Sequence, residues 1–126
     1  MRISSRSKYH TAPPSERRWQ GRTYGSKAEM EYAKRLFWAR EGGAIQDYVE
    51  QPRLWLGVPE NKYVPDFLVV ASDRSYYIDV KGIETAKFKR DKKLWASYGR
   101  LDLLIMKRVG VGQFVTTETI LGGKAQ

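Results

Sequence analysis

The sequence predicts an α/β domain, a mixed sheet of about four to five strands flanked by helices, in the order α-β-β-β-α-β. Three observations carry this expectation. Apolar residues recur at helical spacing from Met30 to Phe37 behind a capping signature. Two extended apolar segments, Tyr63 to Ala71 and Tyr76 to Val80, meet at the polar turn Ser72-Asp73-Arg74-Ser75. A further helix and the apolar run Leu101 to Met106 then complete a strand-helix-strand unit.

Taken in order, residues 1–24 are rich in Ser, Arg and Pro around Pro13-Pro14 and read as a basic mobile arm, with His10 as a surface histidine. Residues 25–126 form one domain. Ser26-x-x-Glu29 is a capping box, and the helix it starts runs from about 27 to 41, where Gly42-Gly43 ends it. Glu29 falls at the margin of that helix's apolar stripe, whereas Glu31 shares a face with Lys34, Arg35 and Trp38. Val49 to Val58, with Pro52 and alternating Leu54 and Leu56, reads as a strand near an edge. Thr85 caps a second helix from about Ala86 to Tyr98, with Phe88, Lys92, Trp95 and Tyr98 on its buried side and Gly99 at its end. Leu101 to Met106 is a buried strand, so the crossover should be parallel and right-handed. A last weak strand spans Gln113 to Thr117.

Composition narrows the chemistry. The 126 residues include no Cys and one His, which excludes a disulfide scaffold, a zinc ribbon, a Cys nucleophile, and any Ser/His/Asp triad that His10 does not serve. A metal must therefore sit on oxygen ligands. There is no apolar run of about 18 residues, and Met-Arg-Ile-Ser-Ser-Arg lacks a signal-peptide core, so no membrane contact and a cytoplasmic location are expected. With 23 Lys plus Arg against 14 Asp plus Glu, the net charge of +9 points to a polyanionic partner. The excess is uneven: +6 over residues 1–27, −2 over 28–82, +5 over 83–108, and neutral beyond. Acids gathered between two basic segments suit a metal-dependent nuclease.

The informative residues lie in the hairpin of the second and third strands. Asp79 and Lys81, two apart on one strand, project to the same face. A turn at Asp73-Arg74 pairs Leu68 with Asp79 and Asp66 with Lys81, so Asp66 converges with both. Two carboxylates beside a lysine suit phosphodiester hydrolysis. The acids hold a hard divalent cation, with the Val80 carbonyl as a further ligand, and the lysine orients or deprotonates the attacking water. Glu29 is the acid of the first helix best placed to complete the set, although a capping-box Glu needs no catalytic role. Gln51 suits orientation of water or phosphate beside that set, or is a strand-edge amide. Phosphate contacts are expected from Arg17, Arg18, Arg22 and Lys27 before the core, and from Lys87, Lys89, Arg90 and Lys93 in the cluster around the second helix that also holds Lys92. Tyr24, Trp38, Trp55 and Trp95 are candidate base-stacking platforms, with Trp95 at core spacing.

Pro65-Asp66, Asp79-x-Lys81 and the upstream helical Glu29 resemble the PD-(D/E)XK nuclease superfamily. Glu50-Gln51-Pro52 and Ile78-Asp79-Val80-Lys81-Gly82 look like a group of small phage-encoded nucleases within it, and the short basic layout is similar to archaeal-type Holliday-junction resolvases. The resemblance covers about residues 23–108. It implies a restriction-endonuclease-like core, Mg2+-dependent cleavage of DNA with Mn2+ able to substitute, often a homodimer, and a host-cell cytoplasmic location if phage-encoded. The leading expectation is a Holliday-junction or branched-DNA resolvase. Its rivals are a nuclease of the same core that nicks duplex, flap or single-stranded DNA, and a nucleic-acid-binding module without catalysis.

Overall fold

A computed structural model describes residues 11–123; His10 and the first part of the expected arm lie outside the described residues. A mixed five-stranded sheet is the centre of the fold. Its strands are β3 (Asp47–Glu50), β6 (Phe67–Val70), β7 (Ser75–Val80), β8 (Leu103–Gly110) and β9 (Gln113–Ile120), adjacent in that order. All neighbouring pairs are antiparallel except β7 and β8, which are parallel and joined by a helix. That helix, α2 (Ala86–Tyr98), and the earlier α1 (Lys27–Glu41) have the predicted bounds. The reason is local: Ser26 Oγ accepts from the Glu29 amide at 3.0 Å, and Thr85 Oγ1 from the Phe88 amide at 3.1 Å.

Alternation along the strands sorts the core into two halves. Phe67, Val69, Ile78 and Met106 pack with Met30, Ala33 and Leu36 of α1, while Leu103 and Ile105 pack with Phe88 and Trp95 of α2. Each helix thus covers its own sheet face. Trp95 is fully buried, and its indole Nε1–H donates to the Leu101 carbonyl at 2.8 Å.

Four expectations are corrected. Neither Val49 to Val58 nor Tyr63 to Ala71 is one strand: the first breaks around Pro52, β4 (Leu54–Trp55) leaves the main sheet to pair with β5 (Lys62–Tyr63), and of the second only Phe67–Val70 joins the main sheet, as β6. Residues 14–24 are not an unstructured arm. A 3-10 turn (Pro14–Glu16) leads into a small hairpin, β1 (Arg18–Trp19) and β2 (Arg22–Thr23), turned at Gln20 and Gly21, both with positive φ. Trp19 packs edge-to-face on Phe37 of α1 with ring centres 5.2 Å apart, which holds the hairpin to the core. On α2, Tyr98 is half exposed and Lys92, expected among buried residues, instead bridges Glu84 at 2.9 Å and Glu118 at 2.7 Å.

The fourth concerns Glu31, expected on the polar face of α1. It is 8% exposed and meets the Arg108 guanidinium through both oxygens, at 2.7 and 3.1 Å, while the Gly112 amide donates to it at 2.9 Å. These bonds hold its carboxyl below the usual glutamate range, the Arg108 contact contributing most. The pair clamps α1 to the β8–β9 hairpin. Arg108→Ala should cost roughly 3 kcal/mol in urea unfolding, because it strands a buried carboxylate. A change below about 0.5 kcal/mol would show that the pair is merely a surface contact.

Candidate active site

The hairpin that carries the candidate residues turns one position earlier than expected. Ala71 N–H donates to the Arg74 carbonyl at 2.9 Å, so Ser72-Asp73 is the turn centre and Leu68 faces Tyr77, not Asp79. The slip amounts to two residues of pairing. Because side chains alternate with a period of two, a two-residue slip changes partners but preserves faces. Asp66 now stands opposite Asp79 beyond the last ladder pair, Phe67 with Ile78, and the two carboxylates interlock. Asp66 N–H donates to Asp79 Oδ1 at 3.1 Å, and Val80 N–H donates to Asp66 Oδ2 at 2.7 Å.

Glu29 enters from the first turn of α1. A Cβ at Gly25 would come within 3.0 Å of its Oε1, so the glycine leaves the carboxylate its place. Gln51 connects it to the hairpin. The Gln51 amide N–H donates to the Asp66 carbonyl at 2.9 Å, and its side-chain Nε2 lies 3.4 Å from Glu29 Oε2. Gln51 adopts φ 52°, a left-handed conformation that costs a non-glycine residue on the order of 1 kcal/mol and recurs at functional sites.

The electrostatics of the three acids agree with this closeness. Burial, then the Asp66 charge, pushes the Glu29 carboxyl up to about 7, with Gln51 and Arg22 opposing and Asp79 adding to the rise. Burial raises Asp66, against the Val80 hydrogen bond and the Lys81 charge. Burial also lifts Asp79 to about 6, although Lys81 and the Asp66 amide hold it down. Asp79 is 1% exposed, and its Oδ2 has no hydrogen-bond partner. A buried carboxylate oxygen left in that state is costly unless a proton or a cation meets it.

The donor set fits a hard divalent cation: carboxylate oxygens only, one of them orphaned, with a backbone carbonyl at Val80 between Asp79 and Lys81. Among the described residues no three acids form a ready-made cation cage, and Asp66 Oδ2 and Asp79 Oδ1 each accept from a backbone amide.

Lys81 leaves the end of β7 with its Nζ 4.7 Å from the centre of the Phe88 ring. Cavities lie on two sides of it. One, of about 440 Å3, is bordered by Ser26, Val80, Lys81, Ile83 and Lys107; the other, of about 370 Å3, by Lys62, Tyr63, Lys81, Lys87 and Asp91.

The remaining expected contacts are distributed as follows. Arg22 pairs with Glu50 at 3.3 Å, which Tyr24 also reaches, and stands close enough to Glu29 to act on its charge. Arg17 donates to the carbonyls of Ala12 and Tyr24, and Arg18 reaches Thr23 within the hairpin. Lys27 is exposed at the start of α1. On α2, Lys87 bonds Asp91 at 2.8 Å and Arg90 bonds Asn61 at 3.1 Å, whereas Lys89 and Lys93 are exposed and form no ion pair among the described residues.

Asp91 was not anticipated as part of this neighbourhood. It is 5% exposed and adds to the rise of the Asp79 carboxyl. The signal was present: Phe88, Asp91 and Trp95 share one helical stripe, and an acid on an apolar stripe needs a partner. Lys62 and Lys107, beside Lys81, carried no such signal. Among the described residues, no helix is long and apolar enough to cross a membrane. No curated protein matches the chain. The family that it does match, over residues 6–109 and so across every residue of the site, is described as Protein of unknown function (DUF1064), and the chain belongs to that family.

Proposed function

We propose that this protein is a Mg2+-dependent DNA endonuclease with a restriction-endonuclease-like core, selective for branched DNA in the manner of a Holliday-junction resolvase. The observation that carries the reading is the unpartnered, buried Asp79 Oδ2, set against Asp66 and Glu29 with Lys81 on the same strand face. Pure binding of a polyanion gives no reason to gather three acids, two of them buried, beside a lysine.

Glu29, Asp66 and Asp79, with the Val80 carbonyl, would hold the cation. Bound there, Mg2+ or Mn2+ supplies Lewis acidity toward the scissile phosphate and a water of lowered pKa. Lys81 would orient the attacking water and offset negative charge gathering on the phosphorus oxygens. Gln51 keeps Glu29 and Asp66 in register through its two contacts. Lys62, Lys87 and Lys107 beside Lys81, and Lys89 and Lys93 farther along α2, engage neighbouring phosphates. Two copies acting as a homodimer would present two sites about a two-fold axis, which suits paired nicks in a four-way junction.

Branch selectivity is tested by digesting a labelled four-way junction and its separate linear arms with Mg2+ under excess competitor DNA. The junction should be cut at least about tenfold faster, the equivalent of 1.4 kcal/mol of discrimination. Equal rates on the arms would leave a nuclease without junction preference.

A further inference from the structure

We infer a nucleobase-stacking site beside the acids, formed by Trp55 of β4 and Tyr98 at the end of α2. The inference rests on the nuclease reading and names a feature of its substrate: an unpaired base next to the cleaved bond.

Trp55 is 56% exposed and Tyr98 49% exposed, and both border a small cavity of about 130 Å3 together with Tyr77, Trp95 and Arg100. The Tyr98 ring is held in place. It lies over Gly57, where a Cβ would come within 2.8 Å of the ring, and Gly57 has φ 86°, so both the space and the backbone favour glycine there. Two half-exposed aromatic rings at one cavity of mixed polarity, which Arg100 also borders, match the chemistry of a nucleobase attached to a phosphate. The net charge of +9 favours that occupant over an acid-poor peptide.

Two connections join this cavity to the acids. On β7, Tyr77 borders the cavity and shares a face with Asp79, two residues and roughly 7 Å farther along the strand. Across the small hairpin, Trp55 pairs with Lys62, which borders the cavity next to Lys81. A strand whose phosphate lies at Lys81 would pass Lys62, which borders the same cavity, on the way to Trp55, the strand partner of Lys62. Val111, 80% exposed between β8 and β9, borders neither this cavity nor those at Lys81 and serves as a control.

The test is fluorescence anisotropy in EDTA, with a labelled single strand of thymidines and a strand of equal length made of abasic sites. The wild-type protein should bind the base-bearing strand about tenfold more tightly, within the range of one stacked base. Trp55→Ala and Tyr98→Ala should abolish that preference while binding the abasic strand as the wild type does, and Trp55→Phe and Val111→Ala should retain it. Equal wild-type affinity for the two strands, or a preference that survives Trp55→Ala, overturns the stacking site. If that occurs while Mg2+-dependent cleavage persists, the nuclease reading stands without it. If the protein binds neither strand and cuts no DNA, both fall.

Discussion

Asp79→Asn should give a folded chain that is more stable than the wild type at neutral pH in EDTA and cuts no DNA. The stability follows from linkage. The Asp79 carboxyl is raised from 3.8 to about 6, so the folded state retains a proton that the unfolded state has lost. The stability this proton confers is fully present below about 3.8 and is lost as the pH rises through about 6. At neutral pH the ionised, orphaned carboxylate therefore costs roughly 2 to 3 kcal/mol, at 1.36 kcal/mol for each pKa unit. The amide removes the charge but inherits an unpartnered position, so the net gain should be on the order of 1 to 2 kcal/mol. Glu29, raised to about 7, extends the same fall in wild-type stability to higher pH. Thermal unfolding in EDTA should thus show a midpoint that declines between about pH 4 and pH 7 in the wild type, and less so in the variant. Mg2+ should raise the midpoint of the wild type alone. A variant less stable than the wild type at neutral pH would mean that the Asp79 charge is no burden, and one that still cleaves would mean that it is no tool.

Lys81→Ala should separate binding from chemistry. The Lys81 ammonium stands over Phe88 with a cavity on either side, and it acts on the charges of Asp66 and Asp79. Several other lysines border or neighbour those cavities, so DNA affinity in EDTA should fall less than about threefold, in keeping with the loss of one phosphate contact among many. The cleavage rate at saturating enzyme should fall by about 100- to 10,000-fold, the range for loss of a positioned acid–base group. A rate within a factor of ten of wild type would remove Lys81 from the chemistry. Equal losses in affinity and rate would make it a phosphate anchor.

How far these conclusions were legible in the sequence depended on how local each signal is. Both helices could be bounded because Ser26 and Thr85 cap them through bonds spanning three residues. The shared face of Asp66 and Asp79 was legible although their partners were not: an error of one residue in the turn centre shifts the pairing by two, and alternation survives that shift. The Glu29–Gln51 contact was approachable because each residue carried its own hint, the stripe margin for one and the Glu-Gln-Pro step for the other. The Glu31–Arg108 clamp was not, since the two residues are 77 positions apart and nothing near either names the other. The β1–β2 hairpin was missed because strands of two residues have no periodicity to detect; only Gly21 at its turn marked it. Asp91 could have been found by asking what an acid costs on the Phe88–Trp95 stripe.

Whether Glu29, Asp66 and Asp79 gather to hold a cation for DNA cleavage is decided by incubating the wild-type protein with an end-labelled four-way junction, with Mg2+ and separately with EDTA. The expected result is discrete nicked products with Mg2+, none with EDTA, and none from Asp79→Asn in either condition. Intact DNA after prolonged incubation with Mg2+ and with Mn2+, despite salt-dependent binding, would contradict it and leave a nucleic-acid-binding module without catalysis.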